Sequence, residues 1–220
     1  KAFFKISGNY ETQFETMTQF SMFSTAAPSF GMYFTQCSKF AIFNNKVDDP
    51  AIGTLYTGLG MNRCELNTVA NNRFFGLNKG LDLSSGKGNY FFSNTVSKNQ
   101  SGLGSPITGF NINSCTDKFC CNTVDNLSGE GFYFDGMCQP SDFKASTLNA
   151  SSSGLHLTKN TKIGKQNNAR NLWTGPFTSG YGAKHDGNTL LAIFSSQFSN
   201  CKAPIPQYLT GGGANMFNWF

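Results

Sequence analysis

Between about residue 31 and residue 160 the chain alternates apolar and polar positions in short stretches, and the stretches recur. Each opens on a glycine. One and three residues later stand Met32 and Phe34, Leu81 and Leu83, Phe110 and Ile112, Phe132 and Phe134, or Leu155 and Leu157. Between them lies Tyr33, Asp82, Asn111, Tyr133 or His156. Two side chains in and one out is the signature of a half-buried strand. A unit opening at Gly53 follows the rule with Thr54 and Tyr56. A corner residue follows each glycine: Asn45, Asn67, Asn94, Asn122 and Ser146 lie 14, 14, 14, 13 and 15 residues after Gly31, Gly53, Gly80, Gly109 and Gly131. Ile42, Cys64, Phe91, Phe119 and Phe143 stand three residues before the corners. Val47, Val69, Val96, Val124 and Leu148 stand two residues after them. Both sets are expected to point inward.

A unit of this length cannot bury its apolar side alone, whereas stacked units share one core. The pattern therefore predicts an all-β fold: a single-stranded, right-handed parallel β-helix, a solenoid of about six to seven coils, with an irregular C-terminal segment. The handedness follows from connection rules. The β-helix is expected over residues 1–163, regular from 31, and residues 164–220 are expected to cap or connect, with one apolar strand or helix at Thr189–Phe198. Asn45, Asn67, Asn94 and Asn122 serve as structural corners, since asparagine tolerates left-handed backbone and bonds nearby peptide groups.

Composition narrows the function classes. Charged residues make up 13% of the 220, and the net charge of +5 is spread along the chain. No basic run interleaved with aromatics marks a nucleic-acid surface. No apolar run reaches the length of a membrane span. The chain starts at Lys1 without a leader sequence, so it is expected to be a processed product or part of a larger protein. Three sequons, at Asn99, Asn126 and Asn149, fall just after successive corners. They predict glycans along one edge and an extracellular or cell-surface location. Seven cysteines include no C-x-x-C pair, so neither a metal site nor any other cofactor is expected. Cys115 and Cys138 occupy similar places in successive units and form the candidate disulfide. Cys64 reads as a small core hydrophobe.

The candidate chemistry is sparse. No two acids fall at one position of neighbouring units, which argues against the carboxylate cluster of a polysaccharide hydrolase or lyase. Tyr33, Asn111, Tyr133 and His156 share the outward position and could contact carbohydrate. His185-Asp186 lies in a glycine-rich stretch and reads as loop. Thr68, Thr95, Thr123 and Thr147 follow their corners and could form an ice-binding rank, for which outward threonine in a strand is the simpler account.

The segment Asn122-Thr123-Val124-Asp125-Asn126-Leu127-Ser128-Gly129-Glu130-Gly131-Phe132-Tyr133-Phe134 resembles one coil of the parallel β-helix repeats in fibrocystin-like and cell-surface hyaluronidase-like proteins. Asn94–Leu103 and Ser146–Leu157 match the same pattern less fully, and the resemblance spans roughly residues 31–160. It implies the β-helix fold and a segment of a large extracellular or ciliary-surface protein. The site residues of the hyaluronan-degrading members map onto no position here, so it implies no activity. The expected role is structural or adhesive and non-catalytic, with self-association or other protein chains meeting coil ends or strand edges, and carbohydrate as a further partner. A carbohydrate-active enzyme or a carbohydrate-binding module is the alternative.

Overall fold

The structure, a computed structural model, describes residues 4–7, 13–15, 20–21, 30–48, 56–98, 108–149, 151–167, 169–187, 196, 198–199 and 209–211. The described residues hold strands and turns and no helix. Three strands make a turn of the solenoid. After β1 (Phe4–Ser7), β2 (Gln13–Glu15) and β3 (Phe20–Ser21), the first complete turn is β4 (Phe30–Thr35), β5 (Ala41–Phe43) and β6 (Lys46–Asp48). The second is β7 (Thr57–Asn62), β8 (Thr68–Ala70) and β9 (Arg73–Phe75). The third is β10 (Lys79–Ser84), β11 (Lys87–Phe92) and β12 (Thr95–Ser97). The fourth is β13 (Thr108–Asn113), β14 (Thr116–Cys120) and β15 (Thr123–Asp125). The fifth is β16 (Glu130–Asp135), β17 (Asp142–Lys144) and β18 (Thr147–Asn149). Pairing continues through β19 (Ser151–Leu157), β20 (Gln166–Asn167), β21 (Leu172–Trp173) and β22 (Phe177–His185).

Every third strand pairs in parallel. The long sheet runs β1-β4-β7-β10-β13-β16-β19-β22 and onward to Leu209–Gly211, and two narrower sheets close the turn. The expected parallel β-helix is thus the fold, with five complete turns among the described residues. The ladders run past residue 163: β18 pairs with β21, and β19 with β22.

Inward side chains form continuous files. The long sheet contributes Met32-Leu59-Leu81-Phe110-Phe132-Leu155-Ala183 and Phe34-Met61-Leu83-Ile112-Phe134-Leu157. The second sheet contributes Ile42-Val69-Phe91-Phe119-Phe143, and the third Val47-Phe74-Val96-Val124-Leu148-Trp173. These residues are almost wholly buried. Phe91 and Phe119 stack with centroids 5.1 Å apart, and Phe110 and Phe132 at 4.4 Å. Rings piled near the strand spacing bury large apolar area in a preferred offset geometry.

Glycines sit where the third sheet meets the long one. A Cβ on Gly80 would stand 2.7 Å from the Gly109 carbonyl oxygen and 2.5 Å from the Val96 side chain. Gly31, Gly58, Gly109, Gly131 and Gly154 meet the same obstruction, the next coil's backbone on one side and the third sheet's valine, phenylalanine or leucine on the other. Close approach, more than backbone freedom, requires glycine along this file.

One unit departs from expectation. The file-mate of Gly31 and Gly80 is Gly58, and Gly53 and Thr54 lie outside the described residues. Tyr56 is exposed, and Leu59 and Met61 fill the inward positions. Val69, not Cys64, joins the Ile42 file, and Phe74, not Val69, joins the Val47 file. The cause is a second asparagine. Asn72 follows Gly58 by 14 residues, as Asn67 follows Gly53, so a shift of five residues preserves the spacing.

Asparagines therefore make two ladders. In one, Asn45 donates to Asn72, Asn72 to Asn94 and Asn94 to Asn122, with amide-to-carbonyl distances of 2.9, 3.0 and 3.1 Å. Ser146 and Asn171 extend it. In the other, Asn67 donates to Asn89 and Asn89 to Asp117, followed by Ser141. Each ladder asparagine also binds backbone groups of its neighbours, so the buried corners are hydrogen-bonded. The residue before each member of the first ladder has positive φ: Asn44, Asn71, Ser93, Cys121, Ala145 and Arg170.

Candidate binding face and thiol corner

The outward file of the long sheet runs Tyr33-Gly60-Asp82-Asn111-Tyr133-His156-Lys184 over seven neighbouring strands. The structure thus brings Tyr33, Asn111, Tyr133 and His156 into one file, and adds Asp82 and Lys184. Asn111 Nδ2 donates to Asp82 Oδ1 at 2.6 Å, and Lys79 Nζ lies 3.0 Å from Asp82 Oδ2. A parallel row beside it includes Asn113 and Asp135, joined at 3.1 Å, and Thr158, whose hydroxyl donates to Asp135 at 2.6 Å.

Charges gather at the far end of the file. His156 Nε2 lies 2.7 Å from Asp186 Oδ2, and Lys184 Nζ lies 2.9 Å from Asp186 Oδ1. His156 Nδ1 faces Glu130 Oε1 at 3.4 Å, near enough for charge attraction but without an aligned hydrogen bond. The Tyr133 ring stands edge-on to the imidazole at 5.1 Å. Burial works against charge on His156, but Glu130 and Asp186 outweigh it and raise its pKa above the ordinary value. The nearby His156 imidazole holds Glu130 low against the cost of burial. Burial pushes Asp186 up, and its bonds to His156 and Lys184 more than reverse that. Tyr133 is raised by burial and by the surrounding carboxylates. A carboxylate near each nitrogen favours the cationic form of the imidazole.

The sequence reading missed this cluster because it took His185-Asp186 for loop. A signal was present: Gly182-Ala183-Lys184-His185 repeats the form of Gly154-Leu155-His156-Leu157. His185 takes the inward position and is buried, and Asp186 follows on the outside.

The other predicted positions fall as follows. Asn99 lies outside the described residues. Asn126 is exposed with φ 54°, and its amide donates to Asp125 Oδ2 at 3.1 Å. Asn149 is half-buried, and its amide donates to the other oxygen of Asp125 at 2.7 Å. Lys46, Arg73, Thr95, Thr123, Thr147 and Leu172 form one outward file of the third sheet. Thr68 belongs instead to the second sheet, so the expected threonine rank holds three threonines with two cations at one end.

Cys115 and Cys138 are both buried, and the structure holds them as thiols with no bond between them. Cys115 Sγ accepts from Gly86 N and donates to Asn113 O, each at 3.2 Å, while Cys138 Sγ donates to Asp135 O at 3.2 Å. Cys64 makes a similar bond to Asn62 O at 3.4 Å. Burial pushes the Cys64 and Cys138 thiols up to about 11. Cys120 and Cys121 differ. Both are half-exposed at the end of β14, with their sulfurs 3.0 Å apart.

The family model that matches the chain is that of the periplasmic copper-binding protein NosD, over residues 8–171. The chain belongs to the NosD family. Comparison with curated proteins and with solved structures brings no match. Membership agrees with the parallel β-helix repeat seen here. No helix among the described residues is long and apolar enough to cross a membrane. Copper is named in the family description, so the fit of these residues to a metal matters. Among the described residues no three of His, Cys, Asp and Glu converge as a metal-binding group. The interior thiols are bound to backbone and burial keeps them protonated. Cys120 and Cys121 present two adjacent half-exposed sulfurs without a third ligand among the described residues.

Proposed function

We propose that this chain is an extracytoplasmic binding scaffold: a rigid β-helix whose long-sheet outer face holds an extended carbohydrate without chemical turnover. The outward file from Tyr33 to Lys184 carries this reading. It sets two tyrosine rings, a carboxylate, an amide, an imidazole and a lysine cation in one line, stepping by about 4.8 Å. Tyrosine offers an apolar face and a polar tip. Asn111, Asp82 and the charged cluster offer paired donors and acceptors to hydroxyl groups. The parallel core behind the file makes it stiff, so binding orders little backbone and loses little entropy. The periplasmic setting in the NosD description supports a location outside the cytoplasm, as does the exposed sequon at Asn126.

A glycan array probed with the whole chain tests the reading, followed by titration calorimetry on the strongest oligosaccharide. Tyr133→Ala and Asn111→Ala are each expected to weaken binding about 10-fold or more, which corresponds to about 1.4 kcal/mol. Equal affinity in both variants, or an array without any bound saccharide, overturns it.

A further inference from the structure

We infer that the outer face of the second sheet holds a separate site for an acidic sugar unit, built by Tyr90, Lys118, Asp142 and Lys144. Outward side chains of this sheet form two files, Thr68-Tyr90-Lys118-Asp142 and Ala70-Phe92-Cys120-Lys144. A groove of about 390 Å³ takes its walls from both files and reaches Gly88. Small-ligand sites enclose about 300–1,000 Å³, so the groove has room for a saccharide. The backbone is irregular at its edge. Between Lys87 and Tyr90 the register of β11 against β14 slips, three steps of one strand facing two of the other, and Gly88 bends there with φ 68°. A bulge of this kind re-aims side chains and recurs beside binding sites.

The side chains supply complementary contacts. Tyr90 is exposed and stacks on Phe92 with centroids 5.8 Å apart, which holds its ring as a wall. Such a wall offers an apolar face to the C–H groups of a pyranose and a polar tip to its hydroxyls. Burial, and then the neighbouring thiols, raise the Tyr90 hydroxyl above its ordinary value, so it stays a donor. Asp142 can accept from a sugar hydroxyl.

Charge decides the class of ligand. Lys144 lies 3.6 Å from Asp142, with both side chains about half exposed. Lys118 is exposed and makes no ion pair among the described residues. Two ammonium groups against one carboxylate leave the groove positive. A neutral sugar gives Lys118 no counter-charge, whereas a carboxylate or sulfate on the ring gives it a charge-assisted hydrogen bond. The long-sheet file differs: there Lys79, His156 and Lys184 each already face a carboxylate. The two faces share no residue, so this site stands independently of the long-sheet reading.

The test is titration calorimetry of the whole chain with a uronate trisaccharide, a sulfated trisaccharide, a neutral trisaccharide and inorganic phosphate. The better acidic saccharide is expected to bind at least 10-fold more tightly than the neutral one or phosphate, and the pair of acidic probes tells carboxylate from sulfate. Affinity should fall as sodium chloride rises, because exposed charges are screened. Tyr90→Ala and Lys118→Met should each weaken binding 10-fold or more. Lys159→Met removes an exposed charge elsewhere and should leave it unchanged. Circular dichroism melts check that the variants fold. Saturating ligand should also slow alkylation of Cys120, a half-exposed residue of the groove, at least threefold by peptide mapping. Equal affinity for the acidic saccharide and either control probe, undiminished binding by Lys118→Met, an equal loss in Lys159→Met, or an unprotected Cys120 would each overturn the site.

Discussion

Asp117 shows how one atom sets the behaviour of a ladder. It occupies a rung where Asn67 and Asn89 stand below it, and is 1% exposed. Its Oδ1 accepts from both the backbone and the side chain of Asn89, at 2.8 and 3.0 Å, while Oδ2 has no hydrogen-bond partner. Burial outweighs the Asn89 bonds and raises the pKa to about 7. The sign follows from linkage. Between the unfolded value near 4 and the folded value, the folded chain keeps its proton and the unfolded chain loses it. Stability therefore falls as pH rises through that window, by about 4 kcal/mol at most. Asp117→Asn supplies the amide that the rung uses elsewhere and removes the ionisation. It is expected to raise the melting temperature at pH 8 by several degrees and to flatten the decline between pH 4 and 7; thermal melts across that range check both. A melting temperature lowered at pH 8 would show that the carboxyl is the better rung.

At the scale of elements, the short third-sheet strands seal the interior with one side chain each. Val124 is fully buried, presses on Gly109 and Gly131, and lies between Val96 and Leu148. Val124→Asp would place a lone carboxylate there, at a cost of several kcal/mol. Loss of the cooperative melt and of soluble yield is expected, while Val124→Ala should melt about 1–3 kcal/mol less stably but still cooperatively. The inward positions of four of the five turns were legible in the sequence, because Phe91, Phe119 and Phe143 keep a fixed distance from their corner residues Asn94, Asn122 and Ser146. The second turn was not. Two asparagines five residues apart give two self-consistent registers, and spacing alone holds no term that prefers the one burying Leu59 and Met61. The outward file was legible up to His156. Its completion by Lys184 and Asp186 depends on the 27 residues between His156 and Lys184, a spacing that matches no earlier turn.

The whole molecule is a stack in which contacts run between successive turns. The coil pattern is degenerate: from sequence it is expected to belong with fibrocystin-like and hyaluronidase-like repeats, whereas the family model that spans most of the chain is that of NosD. Sequence likeness at this level speaks for the stacking rule and leaves the face to be read from its own side chains. Length is then a free variable. Excising residues 109–130 removes one winding of 22 residues and joins Thr108 to Gly131. The new neighbours would be Leu81 with Phe132, Phe91 with Phe143, Val96 with Leu148, and Asn94 with Ser146, each pair already found one winding further apart. Such a shortened chain is expected to fold with a single melt and to diffract or scatter as a rod about 4.8 Å shorter. The molecule is in this sense a ruler marked in backbone units, one that insertion or loss of whole gradations could lengthen or trim while leaving every remaining mark in line.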